Sequence, residues 1–304
     1  MHEYLARKPF DLYALHLFHL VVKHRSFTQA AREAGLSQSA MTRQMQALEA
    51  RLGLELITRT TRSVELTEAG EYLARESARL LGGVSSTLEG LQTVFGQARP
   101  VVRVGVSRTV AMAHMPGLFH ASQQRQPKTA CQVMYQSSAD ILGALERHEL
   151  DVGVICPPSP LPDSVKVTHR FADAFVLIGS KAVAAKRPRS SRADLQKLWL
   201  QQQPWLMIHG ASVTGVLTRR WLKRQGLKLE PAMELDSFDL IINLVASGMG
   251  VALVPRRALA LYRRRQAIVP LPLAQVFSRE LVVLARRHRK LPEHVSAFIG
   301  DILF

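Results

Sequence analysis

Four polar side chains lie on one face of a helix predicted between residues 38 and 52. Their positions follow the helical spacing i, i+3, i+4 and i+7, namely Ser39, Thr42, Arg43 and Gln46. Arginine pairs well with guanine, glutamine pairs with adenine, and threonine contacts a thymine methyl or a phosphate. The other face carries an apolar stripe made of Met41, Met45, Leu48 and Leu52. Such a helix can pack on one side and enter a DNA major groove with the other.

The preceding residues predict the elements that position this helix. Ser26 is a good N-cap for a first helix, and Gln29 completes a capping box. Gly35 supplies the left-handed conformation that ends this helix, and Ser37 caps the second helix, which runs to about Leu52. An ordinary solvated helix face is the alternative interpretation. The combination of caps, turn and stripe favours a helix–turn–helix.

The segment after the second helix predicts a β-wing. Apolar, strand-like pieces at 52–57 and 64–66 flank a tip that contains Arg59 and Arg62. Arginines at such a tip can contact phosphates or a narrow minor groove. Two arginines in a hairpin would mean little alone, but their place beside the second helix favours DNA contacts.

Together, these segments resemble the winged helix–turn–helix of the LysR-type transcriptional regulators, from Leu12 to Ala69. The matching motifs include Leu15-x-x-Phe18, Ser26-Phe27, Ala30-Ala31, Leu36-Ser37-Gln38-Ser39, Arg43-Gln44, Leu48-Glu49, Leu52-Gly53, Arg59-Thr60-x-Arg62 and Leu66-Thr67-x-Ala69-Gly70. The departures are Ala34, Thr42 and Ile57, where leucine, serine and phenylalanine are usual. The resemblance implies a regulator that binds a pseudo-palindromic operator in double-stranded DNA. The predicted DNA-binding residues are Thr28, Ser37, Gln38, Ser39, Thr42, Arg43, Gln46, Arg59 and Arg62.

A long amphipathic helix follows the wing. Thr67 is its predicted N-cap, and the helix runs to about Gln97. Its apolar side is formed by Leu73, Leu80, Val84, Leu88, Leu91 and Phe95. The simplest partner for this stripe is the same helix of a second chain. The family resemblance implies a linker helix that forms a homodimer, and dimers of dimers are common in the family.

From Val101 onward, strands and helices alternate, which predicts parallel sheets covered by helices. Two such α/β units with two crossovers resemble the periplasmic-binding-protein type II fold. The segment Leu235–Pro255 carries the family match most specifically. The predicted domains are therefore a winged helix–turn–helix at 1–66, a linker helix at 67–98 and an effector-binding domain at 99–304. Subdomain I covers about 101–170 and 270–304, and subdomain II covers about 171–269.

Polar residues follow the predicted strands of both subdomains, where open parallel sheets bind ligands. The predicted effector-binding residues are Ser107, Arg108, Thr109, Ser137, Ser138, His209, Ser237 and Phe238. Hydroxyls and helix N-termini suit a small anionic effector such as a carboxylate, and Arg108 would add a fixed positive charge. Serines before helices are often only caps, which is the alternative for each serine taken singly. An effector-independent repressor of the same fold is the alternative function.

The net charge of +16 is distributed unevenly. Residues 1–100 carry 12 Lys and Arg against 10 Asp and Glu, whereas residues 101–304 carry 28 against 14. A solvated basic surface is the simpler interpretation. The alternative is that bent operator DNA or an anionic partner approaches the regulatory half.

Other function classes lack support in the sequence. No phosphate-binding glycine loop, nucleophile elbow or metal-spaced cluster is present, so we expect no enzyme activity, cofactor or metal. His16 and His19 share a helix face, but neighbouring apolar residues make that helix a core element, and no Cys or acidic third ligand is close. Cys131 and Cys156 fall on strands that flank a third, which is too far for a disulfide. Without a signal peptide or an apolar span, we expect a cytoplasmic protein with no membrane partner.

Overall fold

The computed structural model describes residues 11–59, 64–96, 99–188, 192–262, 265–287 and 291–302. The chain divides into two compact units. Unit 1 comprises residues 1–98 together with 147–149, and unit 2 comprises 99–146 and 150–304. The boundary falls at Arg99-Pro100, where the predicted long helix gives way to the predicted α/β domain.

Unit 1 begins with three helices and a two-stranded hairpin. The elements are α1 (Leu12–His24), α2 (Phe27–Glu33), α3 (Gln38–Leu52), β1 (Ile57–Arg59) and β2 (Val64–Leu66). The strands pair antiparallel, with Ile57 opposite Leu66, as expected of a wing. The tip residues 60–63, which include Arg62, lie outside the described residues.

The caps explain where these helices begin. Ser26 Oγ accepts a hydrogen bond from the Gln29 amide (3.3 Å), and Ser37 Oγ accepts one from the Ala40 amide (3.1 Å). Gly35 lies in the left-handed region at φ +67°, where a residue with a Cβ is strained. The predicted capping serines and the glycine turn are therefore confirmed.

A single helix, α4 (Glu68–Phe95), completes unit 1. Thr67 caps it by accepting a hydrogen bond from the Gly70 amide (3.0 Å). Gly70 tolerates no side chain, because a Cβ there would lie 2.0 Å from the Leu56 carbonyl oxygen. The backbone of α4 at Gly70 therefore lies directly against the Leu56 carbonyl group, at the base of the wing.

Unit 2 is built on one nine-stranded mixed sheet. Its strands are β3 (Val101–Ser107), β4 (Ala130–Gln136), β5 (Val152–Ile155), β6 (Val165–Ser180), β7 (Trp205–Ile208), β8 (Pro231–Leu235), β9 (Val251–Pro255), β10 (Ile268–Leu271) and β11 (Ser278–Arg286). Its helices are α5 (Arg108–Arg125), α6 (Ser138–Glu146), α7 (Lys181–Ala185), α8 (Ala193–Gln201), α9 (Val213–Arg224), α10 (Phe238–Ala246), α11 (Arg256–Leu261) and α12 (Glu293–Gly300). The order β4-β3-β5-β11-β6-β9-β7-β8, with β10 beside β6, confirms the α/β fold class.

Two strands connect the halves of this sheet. Residues 165–174 of β6 pair with β11, and residues 175–179 pair with β9. β11 returns the chain antiparallel to β5, at the edge of the β4-β3-β5 group. In the other half, β7 runs parallel to β8 and β9. Separate apolar cores lie in the two halves, one around Val104 and Phe298 and the other around Trp205 and Ile242.

The structure differs from the sequence-based expectation mainly in the length of β6. We predicted a strand over Ala174–Ile178, whereas β6 is 16 residues long. Its first part, 165–174, alternates polar and apolar residues weakly, so the pattern did not mark it as a strand. The short elements α7, α8, α11 and β10 also escaped prediction, because four to nine residues carry too little periodicity.

Candidate functional site

The second helix of the helix–turn–helix, α3, divides cleanly into a packed face and an exposed face. Met41, Met45 and Leu48 are buried among α1, α2 and the wing. The predicted DNA-contacting residues of this segment that are exposed are Ser37, Gln38, Ser39, Arg43 and Gln46. Thr28 is exposed on α2. The helix can therefore present these side chains to a groove without disturbing its core.

Thr42 differs from its neighbours on this face. It is half-buried, and its hydroxyl donates a hydrogen bond to the Gln38 carbonyl (3.0 Å). This bond occupies the only hydroxyl proton of the side chain. Its methyl group and oxygen lone pairs remain available to a base or a donor.

The wing is held to α3 by Glu49, a role that the sequence analysis missed. Glu49 Oε1 accepts hydrogen bonds from the backbone amides of Leu56 (2.8 Å) and Ile57 (3.1 Å). Leu56 immediately precedes β1 and Ile57 begins it, so the carboxylate sets the direction in which the wing leaves the helix. Arg59 ends β1, three residues before Arg62. The Leu48-Glu49 motif was visible in the sequence, but nothing in the spacing revealed its partner.

Unit 2 contains a cavity of about 490 Å³ at the carboxyl ends of four strands. Residues that follow β3 and β4 line one side, and residues that follow β7 and β8 line the other, as open parallel sheets lead one to expect. Of the predicted effector-binding residues, six line it: Ser107, Arg108, Thr109, Ser137, Ser138 and His209. Lining residues that the sequence analysis did not name include Gln136, Asp140, Ser212, Thr214 and Asp236.

Two predicted effector-binding residues, Ser237 and Phe238, lie outside this lining. Phe238 is 4% exposed and packs edge-on against Phe175 in the apolar core, with ring centroids 5.7 Å apart. The rotation of α10 about its axis turns its first residue, Phe238, towards the core and leaves Asp236 at the cavity.

The base of the cavity offers unused polar atoms. Ser107 is 4% exposed, and its Oγ has no hydrogen-bond partner among the described residues. Although Ser107 is the N-cap of α5, its side chain makes no capping bond. Gln136 Oε1, at the end of β4, is likewise buried without a described partner. The Ser107 hydroxyl and the first amides of α5, which lack partners within the helix, can donate to an anion, whereas Gln136 Oε1 can only accept a hydrogen bond.

The rim of the cavity carries an ion pair. Arg108 Nη1 donates to Asp236 Oδ2 (2.8 Å), with 61% and 63% of the two side chains exposed. Asp140, also exposed, accepts a hydrogen bond from Ser137 Oγ (2.6 Å). The positive charge that Arg108 was expected to add is thus paired with the carboxylate of Asp236.

Beneath the cavity lies a buried cation, Arg279 of β11, that the sequence analysis did not identify. Its Nε donates to Asp173 Oδ2 (2.9 Å), and its Nη2 donates to the Thr109 carbonyl (2.7 Å). Its Nη1 donates to the Thr109 hydroxyl (3.1 Å) and to the Thr214 hydroxyl. Arg279 is 3% exposed, and its guanidinium carbon lies 5.2 Å from the centre of the Phe175 ring. The cation thus connects the N-termini of α5 and α9.

Burial raises the pKa of Asp173, but hydrogen bonding from His114 and the charge of Arg279 outweigh it, so its pKa is lowered. His114 Nε2 lies 3.4 Å from Asp173 Oδ1, and both side chains are buried. The carboxylate therefore stays ionised and neutralises Arg279. No partner for Arg279 was visible in the sequence, since Asp173 is 106 residues away.

The cysteines lie where the sequence analysis placed them. Cys131 is in β4 and Cys156 follows β5, on opposite sides of β3, and both are free. Burial raises the pKa of both thiols. Neither environment favours the reactive thiolate.

The described residues contain neither a metal-ligand cluster nor a membrane-spanning helix. Within them, no group of three or more His, Cys, Asp and Glu is arranged to hold a metal ion. No helix in that part of the chain combines the length and apolar character that a membrane span requires.

Comparison with known proteins identifies the family of both domains. Residues 12–71 match the bacterial regulatory helix-turn-helix protein family, lysR, and residues 95–303 match the LysR substrate binding domain. The two matched domains define a transcriptional regulator with a DNA-binding domain and a separate effector-binding domain, and the relatives are transcriptional regulators. The chain belongs to the LysR family.

Relatives cover most of the chain. The uncharacterized HTH-type transcriptional regulator YfeR of Shigella flexneri is 28% identical over 288 residues, which is 95% of this chain and 92% of that protein. A probable RuBisCO transcriptional regulator of Gracilaria tenuistipitata var. liui is 31% identical, with 83% and 82% covered. These similarities extend through both units.

Solved structures show the same fold. A full-length OxyR variant from Pseudomonas aeruginosa aligns with a TM-score of 0.69 at 20% identity, covering 96% of this chain and 94% of that one. Full-length CbnR in complex with its target DNA aligns with a TM-score of 0.67 at 18% identity, covering 96% and 99%. The predicted LysR resemblance and fold class are confirmed.

Proposed function

We propose that this LysR-type regulator binds a pseudo-palindromic operator through α3 and the wing, and that a small anionic effector in the unit 2 cavity modulates this binding. The observation that carries the DNA-binding assignment is the division of α3 into a buried apolar face and an exposed polar face. The groove contacts come from Gln38, Ser39, Thr42 and Arg43, supported by the other predicted contacts. The structural similarity to CbnR, which was solved in complex with its target DNA, supports the proposal that this chain binds DNA. Such a regulator works in the cytoplasm, where its DNA lies.

The affinity for DNA depends on specific contacts more than on the net charge of unit 1. The first 100 residues are nearly charge-balanced, with 12 basic and 10 acidic side chains. A single unit 1 therefore has little non-specific attraction for phosphates. In a dimer, two copies of α3 bind two half-sites, and this compensates for the weak non-specific attraction of each unit 1.

We assign the pairing of copies to α4. The helix has 28 residues and leaves an apolar stripe exposed in one chain, comprising Leu80, Val84, Leu88, Leu91 and Phe95. Phe95 is 83% exposed, which is costly for a helix that remains alone in water. A homodimer through α4 buries this stripe, and a dimer of dimers follows the family pattern.

The effector assignment rests on the cavity. Its volume of about 490 Å³ suits a small organic molecule. The unpartnered Ser107 hydroxyl and the N-termini of α5, α6 and α9 supply donors for an anionic group.

Footprinting of the full-length protein on the DNA beside its own gene tests the proposal, with and without a panel of organic acids and amino acids. We expect two protected half-sites separated by whole helical turns and a change in the protected length with at least one ligand. The absence of protection anywhere would contradict the DNA assignment. A footprint that no panel member changes, together with no thermal stabilisation, would favour the effector-independent repressor.

A further inference from the structure

The charges around the cavity are divided between its base and its rim. At the base, the buried Ser107 hydroxyl and helix N-termini provide donors. At the rim, the exposed charged side chains among the described lining residues are one cation, Arg108, and two carboxylates, Asp140 and Asp236. The base therefore favours an anionic group, whereas the rim carries an excess of negative charge.

We propose that the effector is a zwitterion: a small molecule that carries a carboxylate and an ammonium group a few bonds apart, as an amino acid does. The inference rests on the proposed function and specifies its ligand. A ligand with a carboxylate alone satisfies the base but meets two carboxylates at the rim, only one of which is paired with Arg108. A ligand with an added ammonium group satisfies both.

The ion pair at the rim leaves room for such a ligand. Arg108 contacts Asp236 through one nitrogen and one oxygen, Nη1 and Oδ2. A guanidinium has five N–H donors, and a carboxylate accepts on two oxygens. An ammonium group can therefore bind Asp236 Oδ1 while Arg108 retains Oδ2. The remaining donors of Arg108 are then available to a ligand carboxylate.

Groups of both kinds come from the starts of two helices. Ser107 is the N-cap of α5, and Arg108 is its first residue. Ser137 Oγ donates a hydrogen bond to Asp140 Oδ2 (2.6 Å) at the start of α6. Donors for a carboxylate and acceptors for an ammonium group therefore line the same cavity.

Matched ligands isolate the contribution of each charge. The first set is 2-aminobutanoate, butanoate and propylamine, and the second is phenylalanine, 3-phenylpropanoate and 2-phenylethylamine. Binding to the full-length protein is measured by isothermal titration calorimetry. We expect the zwitterion of at least one set to bind about tenfold or more tightly than either singly charged analogue, because it adds a charge-assisted hydrogen bond.

Substitutions test whether the carboxylates at the rim cause this preference for the zwitterion. Asp236→Asn should weaken zwitterion binding about tenfold and leave binding of the matching carboxylate unchanged or tighter. Asp194→Asn, a change in an exposed ion pair on α8, is the control and should alter neither. Thermal unfolding checks that each variant folds.

The outcomes separate the two proposals. Equal binding of the zwitterion and the plain carboxylate would overturn the proposal that the effector is a zwitterion, but it would be compatible with an anionic effector. Preference for the amine alone would overturn both, as would the failure of every ligand in the two sets to bind at millimolar concentration. An unchanged preference in Asp236→Asn would overturn the role of the rim.

Discussion

Arg279 and Asp173 form an ion pair that is almost completely buried, with Nη2 2.8 Å from Oδ2. The remaining donors of the guanidinium bind Thr109 and Thr214, which line the cavity from its two sides. Each of the three guanidinium nitrogens thus donates to an acceptor. A buried charge is tolerated when it is paired and hydrogen-bonded in this way. The pair holds together the two helix N-termini on which the proposed effector site is built.

Asp173→Asn should strongly destabilise unit 2, because it leaves the Arg279 charge buried without its counter-ion. We expect a loss of about 3–5 kcal/mol in the free energy of unfolding. Urea unfolding of the full-length protein measures it. Asp194→Asn, which breaks an exposed pair, should leave the transition in place, and equal effects of the two changes would contradict the account.

The same carboxylate predicts a pH dependence. The pKa of Asp173 is lower in the folded protein than in the unfolded chain. Its contribution to stability is therefore complete above the ordinary aspartate pKa of about 3.9 and is lost as the pH falls through the lower folded value. Melting temperatures measured between pH 3 and pH 7 should fall more steeply at the acid end in the native protein than in Asp173→Asn. Parallel curves would refute this role.

Glu49→Ala should free the wing from α3. Two backbone amides would lose their charged acceptor, at a cost of about 1–3 kcal/mol. We expect weaker operator binding with unchanged far-UV circular dichroism, because the helices keep their own caps. Glu55→Ala, an exposed change beside the wing, serves as the control. Equal binding by both variants would show that the anchor has no part in DNA recognition.

Leu88→Glu should disrupt the proposed pairing of α4. Leu88 is 58% exposed in the single chain and lies in the apolar stripe. A charge there would be buried in the dimer without a partner. Analytical ultracentrifugation should show a smaller species than for the native protein, whereas Arg75→Glu, an exposed change on the opposite side of α4, should not. A native-sized Leu88→Glu assembly would exclude the α4 interface.

The sequence predicted the elements whose signals are local. Ser26, Gly35 and Ser37 marked the helix–turn–helix because caps and left-handed turns are determined by a few adjacent residues. The cavity was also predictable in outline, since strand ends and helix starts can be located from periodicity. The ion-pair partners of Arg108 and Arg279 were not predictable, because each contact joins residues that are more than 100 positions apart in the chain. Glu49 bonds amides only seven and eight residues away, but the path of the chain between α3 and β1 is not fixed by any local pattern. The inward turn of Phe238 depends on the rotation of α10, which the pattern does not fix within one residue.

The reading of DNA by the exposed face of α3 is the central claim, and Arg43→Ala tests it most directly. The matched control is Arg51→Ala, which removes an exposed arginine at the other end of the same helix. Operator affinity, measured by fluorescence anisotropy at fixed salt, should fall by about 1–3 kcal/mol for Arg43→Ala, with relaxed discrimination at one base pair of each half-site. Arg51→Ala should retain that discrimination. Native affinity and native base preference in Arg43→Ala would contradict the account.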